Sequence, residues 1–305
     1  MSSETGGGDV GRRDVFCVIR AAGERTADMA RQLLEAQVGH SSVAVVREVP
    51  FSAAVEATFR AGIEAGARWT IAVDADILVR PSAVGTLVAA AEASPDGFFH
   101  LQGQVLDRSF RIPRPGCPRV YRTSMLPRAL SVLAAAVGEA RPESQVSSQM
   151  AAEGAASLSI PDVLGLHDYE QSYSDLFRKG AFHTRKHQRR MPYSRVMWRR
   201  LSRSEPDYRA LLAGAEYADS PDRDIGPDIG LFDRREIEQL LAAKGLHEKR
   251  ELKTARTEVS AVVEAEIAGW RAPAEYRIWQ ARKLIPSGAR RACRGLAAGI
   301  AGVGR

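Results

Sequence analysis

The first eighty residues alternate short apolar runs with amphipathic segments, and this order limits the fold more than any other feature of the chain. Residues 15–19, 43–46 and 69–73 are continuous apolar runs of strand length, which is typical of strands covered on both faces. Between them we predict one helix that begins after Thr26 and another over 53–65. This β-α-β-α-β order predicts right-handed crossovers and an α/β fold with a mostly parallel, Rossmann-like central sheet flanked by helices.

The rest of the chain continues this pattern and then becomes helical. We expect a helix from Pro81, two strands near 97–101 and 119–122 around a proline-rich turn, and a helix over 126–137. From about residue 205 the sequence is acidic and loop-like, and a capping box then begins a further helix. The chain is therefore divided into a flexible leader (1–13), an α/β domain (14–204) and a helical C-terminal extension (205–305).

Charge and cysteine content narrow the class of protein. The net charge of +6 is local, because residues 178–203 carry ten Lys and Arg and residues 277–305 carry seven, with no Asp or Glu in either block. Two basic blocks on an acidic body favour contact with phosphates or lipid headgroups, and we expect no nucleic acid partner.

The three scattered cysteines exclude a disulfide framework, and the first residues lack the apolar core of a signal peptide. We expect a cytoplasmic protein.

Two aspartates stand where ligands bind in open sheets of this type. Asp74 and Asp76 directly follow the third predicted strand, and the carboxyl ends of parallel strands form the ligand-binding edge. Two carboxylates at this spacing can hold a hard divalent cation that bridges phosphate oxygens.

A second set of residues, together with the aspartates, resembles the family 2 glycosyltransferases. An acidic residue at a helix start, a glycine, a proline and a histidine follow one another at the family's intervals, namely Glu143, Gly154, Pro161 and His167. The resemblance covers about residues 15–187 and implies the GT-A architecture. The chain lacks the Gln-x-x-Arg-Trp motif of the processive members, which disfavours the synthesis of long polysaccharides.

The resemblance also implies an activity and a set of roles. The activity is inverting transfer of a sugar from a nucleotide-diphosphate sugar to a hydroxyl of a glycan or lipid-linked acceptor. Mn²⁺ or Mg²⁺ would be held by Asp74, Asp76 and His167, and Glu143 would be the catalytic base, with Asp162 or Asp168 as alternatives. The donor nucleotide would contact a set drawn from the strand ends and the helix after His167, namely Arg20, Ala21, Glu24, Glu48, Asp74 and Arg178.

Other interpretations of the same residues stay open. Glu143 is also explained as a first-turn helix carboxylate, His167 as a buried structural histidine and Glu48 as a surface carboxylate. A catalytically inactive GT-A-fold scaffold would keep the fold without the chemistry. A haloacid dehalogenase-like phosphatase is disfavoured, because Leu78 stands where that family has a threonine. Zinc at His183 and His187 is disfavoured as well, because their neighbours are cations.

The basic C-terminal segment predicts a membrane contact. Residues 277–305 interleave seven cations with apolar side chains, which suits a short interfacial helix. We therefore expect peripheral binding to the inner face of the cytoplasmic membrane without a spanning segment.

Overall fold

The computed structural model describes residues 14–135, 142–223, 225, 232–252 and 255–284, and they form a mixed α/β fold around one seven-stranded sheet. The predicted leader and the segment 285–305 lie outside the described residues. The strands, in chain order, are β1 (Val15–Arg20), β2 (Val43–Val46), β3 (Trp69–Asp74), β4 (Ile77–Val79), β5 (His100–Asp107), β6 (Ile112–Arg122) and β7 (Ser157–His167).

The sheet has the order β2-β1-β3-β6-β5-β7-β4. Strands β1, β2, β3, β5 and β7 point the same way, and β6 and β4 run against their neighbours. The expected mostly parallel sheet flanked by helices is thus confirmed. The register of β1 with β3 pairs Arg20 with Asp74 at the carboxyl edge, and that of β5 with β7 pairs Asp107 with His167.

Helices cover both faces of this sheet and continue after it. They are α1 (Ala27–Val38), α2 (Phe51–Ala65), α3 (Ala83–Glu92), α4 (Leu126–Ala135), α5 (Pro142–Ala152), α6 (Tyr173–Lys186), α7 (Met191–Leu201), α8 (Pro206–Tyr217), α9 (Arg234–Ala243), α10 (Arg256–Gly269) and α11 (Ala274–Leu284). None of the helices in the described part of the chain combines the length and the apolar character of a membrane span.

Two residues predicted to cap a helix do so in the structure, and a third does not. Gly66 ends α2 in the left-handed region, at φ 64°, and Asp233 caps α9, as predicted. Thr26 is different: its hydroxyl does not cap α1 but donates to the carbonyl of Ala75, at 2.6 Å. This bond ties the start of α1 to the loop that carries the two aspartates.

The hairpin of β5 and β6 is longer than the sequence predicts. The two strands pair from His100 with Tyr121 to Asp107 with Ile112, so the expected proline-rich turn is mostly strand. Prolines conceal a strand because each lacks a backbone donor. β6 accommodates Pro113 and Pro115 because its pairs with β3 begin only at Arg119.

Three hydrophobic clusters hold the layers together. One lies between the sheet and helices α1, α3 and α10, and another lies on the opposite face under α2, α4 and α5. The third joins α6, α7, α8 and α9 to the tip of the β5–β6 hairpin through Phe110 and Ile112. The predicted boundary near residue 205 falls between α7 and α8, whose side chains share this third cluster, and it stays a prediction.

Helices α6 and α8 approach each other at two glycines. A Cβ atom on Gly180 would overlap the carbonyl of Leu211, and one on Gly214 would overlap the carbonyl of Phe177. Backbone lies on the other side of each contact, so a side chain can be accepted only if the helices separate. The two glycines therefore fix α6 against α8.

We expect Gly214→Ala to lower the free energy of unfolding by about 1–3 kcal/mol, the usual cost of forcing extra atoms into a packed interface. Urea denaturation of the two proteins measures this difference. Gly85→Ala on α3 is the matched control, because a Cβ atom there meets nothing within 4 Å and alanine favours a helix over glycine. Equal midpoints for Gly214→Ala and the parent protein would show that the helices separate at no cost.

Candidate active site

Acidic side chains and a histidine meet at the carboxyl edge of the sheet. Asp74 ends β3, Asp107 ends β5 and His167 ends β7, while Asp76 directly precedes β4 and Asp168 directly follows β7. The short strand β4 pairs with β7 so that Ile77 lies opposite His167. These registers bring groups distant in sequence to one place.

Asp76, His167 and Asp168 form a group that could hold a metal ion. One potential ligand atom from each lies within 4.8 Å of the others. His167 Nε2 is 3.4 Å from Asp76 Oδ2, and His167 Nδ1 is 3.1 Å from Asp168 Oδ2. Asp76 Oδ1 is buried and has no hydrogen-bond partner. An unpaired buried oxygen is costly unless a further group satisfies it.

Lys179 of α6 lies against the same carboxylates. Its Nζ is 2.8 Å from Asp76 Oδ2 and also contacts Asp168 Oδ1. Burial alone would lower the pKa of this ammonium, but Asp168 and Asp76 raise it above its usual range. Burial would likewise raise the pKa values of Asp76 and Asp168, but His167 and Lys179 hold both below their usual range. The two carboxylates and the ammonium are therefore all ionised.

Asp107 and Arg114 support the histidine from the β5–β6 hairpin. Arg114 Nε donates to Asp107 Oδ2 at 2.5 Å, and Arg114 Nη2 lies 2.9 Å from His167 Nε2. Asp107 Oδ2 is itself 3.5 Å from His167 Nδ1. Burial would lower the pKa of His167, and the nearby Arg114 would lower it further. The carboxylates of Asp168 and Asp76 have the larger effect, and the pKa of His167 is raised above its usual value.

The backbone holds the two loops together. The amide of Asp168 donates to the carbonyl of Asp76 at 3.0 Å, and Asp168 adopts φ 63°. A non-glycine residue in the left-handed region is uncommon, although aspartate tolerates it better than most. Ser109 Oγ also donates to Asp168 Oδ2, at 3.0 Å, so the position of this carboxylate is fixed from two sides.

A second ionic network lies beside this group, around Arg20. The Arg20 side chain is 3% exposed and pairs with Asp74 at 2.7 Å and with Glu143 at 2.6 Å. Glu143 also accepts from Arg119 at 2.6 Å and from the hydroxyl of Tyr121 at 2.9 Å. Burial would raise the pKa of Glu143, but Arg119 and Arg20 lower it to about 2.

The predicted site residues are therefore distributed over two networks. Asp76 and His167 come together as expected, with Asp168 as their neighbour, whereas Asp74 lies in the network of Arg20 and Glu143. Glu143 stands in the first turn of α5, as the sequence indicated. Its two oxygens are held by cations, which is the arrangement of a structural counter-ion.

The other residues predicted to contact the donor nucleotide are Ala21, Glu24, Glu48 and Arg178. Ala21 is buried and donates its amide to Val46. Glu24 is partly buried and accepts from the amide of Ala22 at 2.6 Å; burial raises its pKa, and Asp76 adds to the shift. Glu48 is exposed after β2, and Arg178 pairs with Asp175 on its own helix.

Sequence analysis missed several residues of these networks, among them Asp107, Arg114, Arg119 and Tyr121. Asp107 and Arg114 lie in the segment that was predicted as a proline-rich turn, so neither was recognised as a strand residue. Arg119 and Tyr121 lie in the predicted strand 119–122, but the sequence did not show that this strand meets Glu143.

Comparison with known proteins gives similarity of fold only. No family model matches the chain, and no curated protein matches its sequence. A glycosyltransferase involved in glycosylation of the major capsid of PBCV-1 is 11% identical over 52% of this chain and 93% of that chain, with a TM-score of 0.39. A mannosyltransferase from Pyrobaculum calidifontis in complex with GDP-Man and Mn²⁺ is 13% identical over 87% and 82%, with a TM-score of 0.37.

A nucleotidyltransferase is about as similar. The 2-C-methyl-D-erythritol 4-phosphate cytidylyltransferase from Thermus thermophilus is 15% identical over 48% of this chain and 88% of that chain, with a TM-score of 0.36. At these identities and TM-scores, none of the three likenesses establishes a family or an activity for this chain.

We expect Glu143→Gln to lower the free energy of unfolding by about 3 kcal/mol at neutral pH, because it leaves Arg20 and Arg119 buried without their shared counter-charge. The pKa of Glu143 is lowered from 4.5 to about 2, so the stabilisation is present above about pH 4.5 and declines as the pH falls toward 2. Urea denaturation at several pH values measures both effects.

The control is Glu153→Gln, which removes a carboxylate whose partner Arg128 is exposed and should change stability little. If Glu143→Gln is as stable as the parent at pH 7, the counter-ion role is wrong.

Proposed function

We propose that this chain is a glycosyltransferase that transfers a sugar from a nucleotide-diphosphate sugar to an acceptor hydroxyl with the help of Mn²⁺ or Mg²⁺. The proposal rests on the group of Asp76, His167 and Asp168 at the carboxyl edge of the sheet. In this group Asp76 Oδ1 is buried and has no hydrogen-bond partner. The resemblance of the motifs to family 2 glycosyltransferases adds the choice of donor and the inverting outcome.

The donor set suits a divalent cation of this kind. Carboxylate oxygens are the preferred ligands of Mg²⁺ and Mn²⁺, and an imidazole is also accepted by Mn²⁺. Three protein ligands leave positions free for phosphate oxygens. When bound, the cation would neutralise the charge that develops on the leaving diphosphate. Asp76, His167 and Asp168 would hold it, while Asp107, Arg114 and Ser109 keep the last two in place.

The Arg20 network supports the nucleotide side of the proposed site. Arg20 and Asp74 end adjacent parallel strands, and ligands of open α/β sheets bind beyond such ends. In this proposal Asp74, 35% exposed at its side chain, meets the donor, and the resemblance adds Ala21, Glu24, Glu48 and Arg178 as further contacts. Arg20 sets the orientation of Asp74 and is already fully engaged.

Transfer to an acceptor hydroxyl needs a base that takes up the hydroxyl proton. Glu143 holds this role by the resemblance, but a carboxylate with a pKa of about 2 is a weak proton acceptor near neutral pH. For Glu143 to act, an acceptor hydroxyl must displace Arg20 or Arg119 from one of its oxygens. Asp168 is no better placed, because Ser109, His167 and Lys179 surround it.

A non-catalytic binding subunit is the second candidate function. The observation that favours it is the contact of Lys179 with both Asp76 and Asp168, since an ammonium already balances the carboxylates that a metal would neutralise. The two candidates differ in whether a donor is turned over.

Donor hydrolysis tests the proposal. Incubated with a panel of uridine and guanosine diphosphate sugars, the protein should release nucleoside diphosphate with Mn²⁺ or Mg²⁺ and stop when a chelator is added. Asp76→Asn and His167→Asn should each lower this rate more than about 100-fold, since even outer-shell substitutions at metal sites cost 10- to 100-fold. Asp96→Asn, an exposed carboxylate paired with Arg122, is the matched control. A rate that survives chelation, or full activity of either variant, would overturn the metal assignment.

We further propose that the protein binds an anionic membrane surface peripherally. On α7, exposed Val196 and Arg199 share one helix face with exposed Arg203 just beyond its end, and on the neighbouring helix α11, Arg277 and Ile278 are also exposed. Each cation near an anionic leaflet contributes about 1 kcal/mol before screening by salt. The assignment to the cytoplasmic leaflet stays a prediction.

Cosedimentation with vesicles tests this contact. The protein should sediment with anionic vesicles at low salt, be released at high salt, and bind neutral vesicles less. Removal of residues 277–305 should weaken the binding. No binding at low salt, or binding that the truncation leaves unchanged, would contradict the membrane proposal.

A further inference from the structure

Lys179 is the lysine that contacts both Asp76 and Asp168 among the residues that the structure describes. Its Nζ contacts Asp76 Oδ2 and Asp168 Oδ1, which are two of the three groups that would hold a divalent cation. The side chain is 22% exposed, whereas Asp168 is 1% exposed. The Lys179 side chain as a whole is therefore more exposed than the Asp168 carboxylate that it contacts.

We propose that the Lys179 ammonium occupies the position between Asp76 and Asp168 that a divalent ion would take. A divalent ion would then bind only when the ammonium moves away. This inference rests on the metal assignment in the proposed function. It adds that the chain itself supplies a competitor for the metal.

The balance of charge at the site supports competition between Lys179 and a divalent ion for Asp76 and Asp168. Two buried carboxylates this close together repel each other unless a cation lies between them, and one of them would otherwise take up a proton. Lys179 supplies that cation, because its ammonium contacts an oxygen of Asp76 and an oxygen of Asp168. A divalent ion on the same oxygens would lie within a few ångström of the ammonium, and the repulsion between the two would expel one of them.

The fold allows the side chain to withdraw while the helix stays in place. The neighbouring Gly180 is fixed against α8 by the close backbone contact with Leu211, so α6 itself has no room to shift toward α8. Lysine carries its charge on a flexible four-carbon stem, and the partial exposure of Lys179 gives the ammonium a path to solvent. The phosphates of a donor would offer it a new partner, and metal and donor would then bind cooperatively.

The direct test is Mn²⁺ affinity in the absence of nucleotide, measured from the electron paramagnetic resonance signal of free Mn²⁺. Lys179→Met keeps most of the side-chain length and removes the charge, and we expect it to bind Mn²⁺ roughly tenfold more tightly or better, the scale on which a close charge shifts such equilibria. Lys179→Arg keeps the charge and should keep the weak affinity. Lys186→Met removes a charge from the same helix seven residues further along the chain, and should match the parent.

A double variant tests whether the tighter binding of Mn²⁺ depends on Asp76. Asp76→Asn combined with Lys179→Met should lose the tighter binding. The inference is overturned if Lys179→Met binds Mn²⁺ no more tightly than the parent, including the case in which neither binds it. Affinity is measured without a donor, so absence of donor turnover would count against the proposed function and leave this result standing.

A measurement on the unaltered protein covers the case in which Lys179→Met does not fold. Mass spectrometry after brief treatment with an amine-acylating reagent reports the access of each lysine. Mn²⁺ should increase the acylation of Lys179 and leave that of Lys186 unchanged. Acylation of Lys179 that Mn²⁺ does not increase would show that the ammonium does not withdraw.

Discussion

The burial of carboxylates at one edge of the sheet is the constraint on which the rest of the site depends. Asp76, Asp107, Asp168 and Glu143 are removed from most water, and each needs a positive partner close by. The cations come from strands and helices far apart in sequence, namely Arg20, Arg114, Arg119 and Lys179. The β5–β6 hairpin and helix α6 must therefore dock correctly before these charges can be balanced.

Periodicity predicted the parts of this arrangement that are local in sequence. The runs that became β1, β2 and β3 were continuous and apolar, and the end of β3 placed Asp74 and Asp76 at the carboxyl edge. The resemblance placed Glu143 at a helix start, and α5 begins there, but β7, which ends at His167, was not predicted. The predicted features follow from neighbours in the chain, so one sequence was enough to predict them.

Contacts that depend on register and docking could not be predicted in the same way. Asp74 and Asp76 looked like a pair, but β3 ends at Asp74 and the chain turns before β4, so Asp74 pairs with Arg20 while Asp76 meets the end of β7. Arg119 and Tyr121 lie in a strand that the sequence predicted, but nothing local in the sequence showed that this strand brings them to Glu143. Lys179 stood among ten basic residues of one block, and its contacts with Asp76 and Asp168, which the sequence does not show, distinguish it from the others.

The central claim is that Asp76, His167 and Asp168 form a metal site that serves a nucleotide diphosphate and that Lys179 occupies when the metal is absent. A crystal structure of the protein with Mn²⁺ and a nucleoside diphosphate tests it most directly, because the anomalous signal of manganese locates the ion. The account predicts one ion bound by these three side chains and by phosphate oxygens, with the Lys179 ammonium moved away from Asp76. Manganese bound elsewhere, or Lys179 still between the two carboxylates beside a bound nucleotide, would contradict it.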